Sequence, residues 1–205
     1  MIRKILFDKN KRKTAIELFS FIISIIFSAF NASLWLISAS IWYLMLTIYY
    51  VSLSLARGGI FLKKRKSDST TNELTIYKRS AIFLLIMNFS VGLSTLLTTF
   101  YDGEFKYSGI FIYGASIYTL FKVVFAIINI SKAHGTKNLL ELSYRSINLV
   151  DGTFSLFAFQ GALISRFYVG ENNIANLITG SLVVLFNLSL GTFMLIKYML
   201  IKRRQ

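Results

Sequence analysis

The sequence predicts an all-α, polytopic membrane protein with six transmembrane helices in a single domain spanning residues 1–205. Three observations support this prediction. Hydrophobic residues make up 55% of the chain and charged residues only 16%, whereas an ordinary soluble domain has about 25% charged residues. The apolar residues form long stretches, and about 20 of them suffice to cross a ~30 Å hydrocarbon core. Lys and Arg are concentrated in short segments between pairs of these stretches.

The positions of the basic residues predict how the chain threads the membrane. Of the 23 Lys and Arg residues, six lie in residues 1–13, seven in 57–79, three in 132–145 and four in 197–205. Cytoplasmic loops of membrane proteins are enriched in Lys and Arg, so we expect each block to be cytoplasmic and each intervening stretch to cross twice. Both termini are then cytoplasmic. The Ile-, Lys- and Asn-rich composition is typical of an AT-rich bacterial genome, which predicts a bacterial plasma (inner) membrane.

The six predicted spans follow from the apolar stretches and the polar segments between them. Their predicted ranges are 14–30, 34–56, 79–100, 108–131, 142–168 and 174–198. Only Asn31–Ser33 separates the first two, which predicts a tight turn. The basic cluster Lys63–Lys66 and a Ser/Thr/Asn-rich segment separate the second from the third. A loop with Asp102 precedes the fourth span, and a turn with Gly135 precedes the fifth.

A weak internal repeat suggests three helical hairpins of one orientation. Arg12-Lys13-Thr14 resembles Lys78-Arg79-Ser80, and Tyr144-Arg145-Ser146 follows after the same interval. A genuine duplication predicts a three-fold pseudo-symmetric bundle. The alternative is that a cation followed by Ser or Thr is simply how a helix begins at the inner interface. Both interpretations stay open at the level of the sequence.

Two ionisable residues fall deep within the predicted spans. Lys122 lies ten residues before Lys132, and Asp151 lies nine residues after Leu142. At ~1.5 Å per residue, both lie about 13–15 Å from the inner surface, near the midplane. Antiparallel helices that follow one another are usually neighbours, so we expect an ion pair between Lys122 and Asp151. Charges inside a membrane generally have partners and mark functional sites.

Neutral polar and aromatic side chains extend this predicted site. The further candidates for a ligand or ion pathway are Asn88, Asn129, Asn148, Asn187, Tyr118, Trp42 and Tyr49. Small or polar residues accompany them at helical spacing, so these stripes are expected to face the bundle interior, because lipid-facing positions would be uniformly apolar. The alternative is a structural core held by one ion pair and several amide hydrogen bonds.

The sequence argues against several classes of protein. It has no cysteine and a single histidine, His134, so we expect no disulfide, no metal site and no cofactor. It lacks His-Glu-x-x-His, Gly-x-Ser-x-Gly and a Gly-rich phosphate loop, so we do not expect an enzyme. The net charge of +14 lies mainly in loops and tails, which predicts contact with anionic lipid rather than with nucleic acid.

Together these features favour a small-solute or ion permease, or the membrane subunit of an importer, with a polar site near the midplane. The alternative is a non-transporting scaffold or sensor subunit whose buried polar residues are structural. The expected partners are the lipid bilayer and either a partner subunit or further copies of the chain. Solvent access to the interior is the property that separates the two functions.

Overall fold

A computed structural model of the protein describes residues 9–39, 41–65, 73–100, 119–120, 122–124, 126–128, 138–167 and 173–204. Its long helices are α1 (Lys9–Ser38), α2 (Ile41–Arg65), α3 (Glu73–Phe100), α4 (Leu139–Phe167) and α5 (Asn173–Arg203). Residues 119–120, 122–124 and 126–128 are also helical and are called the Lys122 segment. The all-α prediction is confirmed for this part of the chain.

Within the described part of the chain, four helices are long and apolar enough to cross a membrane. These candidate spans are Thr14–Ile37, Tyr43–Lys63, Glu73–Leu97 and Ile174–Arg203. Large apolar side chains such as Phe19, Phe89 and Leu182 are exposed on the outside of the bundle. Polar and charged side chains are buried inside, which reverses the usual distribution in a soluble protein and fits a protein embedded in lipid. The count of six spans stays a prediction, since α4, at the place of the predicted fifth span, is not among the candidate spans and most of the predicted fourth span lies outside the described residues.

The helices pack around α3, which contacts α2, α4 and α5. The core includes Tyr49 and Leu53 from α2, Tyr77 and Leu84 from α3, and Phe154 from α4. Among the described helices, the backbone of α1 comes close only to that of α2. The described helices do not form three equivalent hairpins around a pseudo-three-fold axis. The predicted repeat therefore stays a prediction.

The basic ends of the helices gather at one end of the bundle. Lys78, near the start of α3, lies 5.5 Å from the ring of Tyr198, near the end of α5. Gly191 of α5 lies beside Leu85 of α3, which is consistent with the same antiparallel register. Contacts of α2 with α1 and α4, described below, place the start of α1, the end of α2 and the start of α4 together. Five helix ends next to Lys/Arg-rich segments are thus on one side.

The turn after α1 lies later than Asn31–Ser33, so that prediction is wrong. Asn31 Nδ2 donates to the Phe27 carbonyl at 2.7 Å, and Ser33 Oγ donates to the Ala29 carbonyl at 2.9 Å. These bonds to the preceding turn satisfy the side chains inside the helix. The helix ends at Ser38, and Ala39 follows with a φ of 49°, the left-handed conformation common after a helix C-terminus.

The second helix lies later in the chain than predicted, since it spans Ile41–Arg65 rather than residues 34–56. Its last turns contain Lys63 of the basic cluster that we placed in a loop. Cations suit this position, since the C-terminal end of a helix carries a partial negative charge. The extension also places Arg57 inside the helix.

Candidate functional site

The carboxylate of Asp151 is the centre of a buried charged cluster. Lys122 Nζ lies 2.8 Å from Oδ1, and Arg57 Nη2 lies 2.9 Å from Oδ2. The side chain of Asp151 is only 2% exposed, that of Arg57 7% and that of Lys122 12%. The predicted ion pair between Lys122 and Asp151 is therefore present, and a second cation shares the carboxylate. We call these three residues the Asp151 cluster.

Arg57 connects three helices through its guanidinium group. Nη1 donates to the Ser20 carbonyl at 3.1 Å and to Ser24 Oγ at 2.5 Å, both on α1. Nη2 also donates to Asn148 Oδ1 on α4 at 3.0 Å. The planar fork of donors makes such divided bonding possible, which a lysine ammonium could not reproduce in the same geometry. Arg57 thereby connects α1 to α4, beside the contacts of Ser20 and Glu17 on α1 with Tyr144 on α4.

Helical spacing explains why these groups converge. Ser20 and Ser24 are four residues apart on α1, while Asn148 and Asp151 are three apart on α4, so each pair lies on one helix face. Tyr49 lies about two turns before Arg57 on α2. Its hydroxyl donates to Asp151 Oδ1 at 3.4 Å.

Aromatic rings pack against one side of the Asp151 cluster. The ring of Tyr49, 1% exposed, lies with its centroid 4.0 Å from that of Phe154. The ring of Tyr50 packs edge to face against the ring of Tyr49, with 5.2 Å between the centroids. The centroid of the Tyr50 ring also lies 5.9 Å from Lys122 Nζ. Cations near aromatic faces gain favourable electrostatic interaction. The site therefore combines charged, amide and aromatic groups, as the sequence predicts.

The structure brings together four of the predicted site residues and separates others. Lys122, Asp151, Asn148 and Tyr49 meet in and around the Asp151 cluster. The side chain of Trp42, and the residues Asn129 and Tyr118, lie outside what the structure describes.

Asn187 has its hydrogen-bond partner outside the Asp151 cluster, and Asn88 is buried on a third helix. Asn187, fully buried on α5, accepts a hydrogen bond from Thr153 Oγ1 at 3.0 Å. Thr153 lies two residues after Asp151, about 200° around α4, so this contact is on another face of that helix. Asn88 lies on α3 and is 5% exposed. Asn187 thus contacts a different face of α4 from the one that carries Asp151.

Arg57 is the member of the Asp151 cluster that the sequence interpretation missed. It was counted with the loop cations of residues 57–79, but it is buried inside α2. A signal was present: Gly58–Leu62 continues the apolar stretch beyond Arg57 before Lys63 begins the basic cluster. A cation with apolar residues on both sides lies within a span rather than at its end.

The arrangement keeps the carboxylate of Asp151 ion-paired with Arg57 and Lys122 in a buried environment. Among the residues described, no group of three or more His, Cys, Asp or Glu residues could hold a metal ion. Comparison of the chain with protein-family models, with curated proteins and with solved structures finds no match.

Proposed function

We propose that this chain is a small-solute or ion permease, or the membrane subunit of an importer, and that the Asp151 cluster is its polar site. One observation carries the proposal: Asp151 on α4 is shared by Arg57 from α2 and by Lys122 from a separate segment. Charges within a membrane are expensive and are generally kept for function. Here they come from different helices, so a relative movement of those helices would break and remake the contacts.

The described helices suit movement as rigid bodies. They are long and continuous, and the chain has no proline to interrupt them. Alternating access by rocking of helical units needs a site whose ligands come from both moving parts. If α4 shifts against α2, Arg57 and Lys122 exchange Asp151 for a solute or for water. The cluster then acts as a switch between a closed and an open pathway.

The scaffold or sensor subunit is the second candidate, and one observation favours it. Both oxygens of Asp151 and both terminal nitrogens of Arg57 have partners within the protein. Such bonding can serve as glue between helices in a bilayer. A dry interior would support this function, whereas a wet interior supports transport.

Cysteine accessibility tests which function holds. The chain has no native cysteine, so a single introduced thiol reports without background. Ser155 lies one turn beyond Asp151 and is 6% exposed. We expect Ser155→Cys, in membranes, to react with a small water-soluble thiol reagent, because water reaches the Asp151 cluster during the transport cycle.

The matched control is the adjacent residue, which lies about 100° around α4 on an exposed, lipid-facing side. Leu156 is 45% exposed on the bundle surface, so Leu156→Cys should face hydrocarbon and stay unreactive. Ala126→Cys, at a position 4% exposed in the Lys122 segment, supplies a second interior position. Reaction of neither interior cysteine beyond the Leu156→Cys rate would contradict the permease and favour the scaffold.

The orientation of the bundle is part of the proposal. The end where the basic helix ends gather is proposed to face the cytoplasm of a bacterial cell, against anionic lipid of the inner leaflet. A fluorescent-protein fusion at Gln205 is then expected to fluoresce, and a phosphatase fusion there to be inactive. An active phosphatase at Gln205 would reverse the orientation. A partner subunit or further copies of the chain complete the proposed assembly.

A further inference from the structure

The antiparallel helices α3 and α5 meet along one face of each helix, which we call the α3–α5 contact. Three pairs of facing residues define its register: Thr95 with Gly180, Gly92 with Val184 and Leu85 with Gly191. Along each helix these residues are three, four or seven positions apart, the spacing that keeps one helix face turned towards a neighbour. The same spacing predicts which other side chains lie in this contact.

Two asparagines lie between the second and the third of these pairs. Asn88 lies three residues after Leu85 on α3, and Asn187 lies three residues after Val184 on α5. The antiparallel register therefore places both asparagines at the same level, each on the face that its helix turns towards the other. Asn88 is 5% exposed and Asn187 is fully buried.

Each of these amides has one buried polar atom without a hydrogen-bond partner among the described residues. On Asn88 this atom is the acceptor Oδ1, and on Asn187 it is the donor Nδ2. The other polar atom of Asn187, Oδ1, already accepts a hydrogen bond from Thr153 Oγ1 at 3.0 Å. Buried polar groups normally have a partner, above all in a bilayer, where no bulk water is at hand. A complementary donor and acceptor thus remain at one level of the α3–α5 contact.

The α3–α5 contact is wider on one side of the asparagines than on the other. A Cβ atom added at Gly191 would lie 2.8 Å from Leu85 Cδ2, which is too close. One added at Gly92, a turn beyond Asn88, would meet only Val184 Cγ2, at the ordinary contact distance of 3.7 Å. A group of methyl size therefore fits beside the asparagines, and a water molecule is about that size.

We propose that the α3–α5 contact binds one water molecule between Asn88 and Asn187. The water accepts a hydrogen bond from Asn187 Nδ2 and donates one to Asn88 Oδ1, so both buried atoms gain a partner. No direct hydrogen bond joins the two amides, and polar groups more than 3.5 Å apart are commonly bridged by water. The site is independent of the proposed function, because a permease and a scaffold both need α3 and α5 held together.

Magnetisation transfer from water tests this site directly. In detergent, the Nδ2 protons of Asn187 are expected to show a cross peak to a long-lived water, with the sign of dipolar transfer rather than of proton exchange. The variant Asn187→Leu assigns their signals. Asn31 is the matched control, because it is also 5% exposed but its Nδ2 donates to the Phe27 carbonyl. Absence of the cross peak at Asn187, or an equal one at Asn31, would overturn the proposal.

Two substitutions at Asn88 separate a water bridge from a side chain that only fills space. Asn88→Leu removes the acceptor, so the cross peak at Asn187 should disappear and the unfolding midpoint should fall by about 5 °C. Asn88→Gln is one methylene group longer and should reach Asn187 directly. It is expected to lose the cross peak while its midpoint stays within about 2 °C of the wild type. A cross peak that persists in either variant would overturn the bridge.

A double substitution adds a measurement that does not depend on the water signal. If the two amides share one bridge, Asn88→Leu combined with Asn187→Leu should be at least as stable as either single variant. Thr153 Oγ1 keeps its bond to the Val150 carbonyl at 2.9 Å in these variants. Additive losses of the midpoint would overturn the shared site. Non-additive losses without a water cross peak in the wild type would show direct bonding of the amides and overturn the water.

Discussion

Asp151→Asn is expected to destabilise the folded protein by about 3–5 kcal/mol. The change leaves Arg57 and Lys122 buried next to each other without the carboxylate that both of them contact. For a chain of this length the unfolding midpoint should fall by about 10 °C. Thermal unfolding of the detergent-solubilised variant, followed by circular dichroism, measures the effect.

Removal of all three charges provides the control for this prediction. A buried ion network and an apolar replacement of similar volume often differ little in stability, whereas an unpaired buried charge is costly. Asp151→Asn with Arg57→Met and Lys122→Met is therefore expected to recover most of the stability lost in Asp151→Asn. If the triple variant is less stable than Asp151→Asn, the hydrogen bonds of the cluster matter more than its charge balance.

The pair of Lys122 and Asp151 could be predicted because two simple quantities determine it. Rise per residue places both side chains at the same depth, and the chain order makes their helices neighbours. The structure contains the pair that these inferences predict, with Lys122 Nζ 2.8 Å from Asp151 Oδ1. Depth and neighbourhood depend on counting residues along the chain, and a sequence supplies that count directly.

The position of Arg57 could not be inferred in the same way. The enrichment of cations in cytoplasmic loops is a property of whole segments, so it assigns a cation at the edge of a segment to the loop. Here the helix continues to Arg65, and the guanidinium group finds acceptors on α1 and α4. Only the three-dimensional arrangement of those helices supplies the partners that make burial of this cation acceptable.

The sequence also does not give the rotation of each helix about its own axis, which determines the neighbour that a polar side chain faces. Asn187 of α5 contacts Thr153 of α4 rather than the Asp151 cluster. The side to which a polar stripe turns depends on which neighbour offers the closest contact. For α3 and α5 that neighbour is each other, since Gly180 and Gly191 of α5 allow a close approach to Thr95 and Leu85 of α3.

Gly180→Val is expected to separate α5 from α3 and to destabilise the protein by about 3 kcal/mol. A Cβ atom at Gly180 would overlap the side chain of Thr95 on α3 and would lie 2.9 Å from its Cβ. A rotation of the Thr95 side chain cannot relieve that contact, because Cβ is fixed to the backbone. Small residues at such contacts allow the close helix packing on which association in lipid depends. Thermal unfolding in detergent measures the loss.

Two further variants make this prediction specific to the α3–α5 contact. Gly161 on α4 has nothing within 4 Å of an added Cβ, so Gly161→Val should change stability little, apart from a small gain from reduced backbone freedom. Gly180→Ala should destabilise the protein, and Thr95→Gly in the same chain should restore part of the loss, because the glycine then lies on the other side of the contact. Equal effects of Gly180→Val and Gly161→Val would show that α3 and α5 tolerate a wider separation. Partial rescue by Thr95→Gly would instead show that the distance between these two helices limits stability.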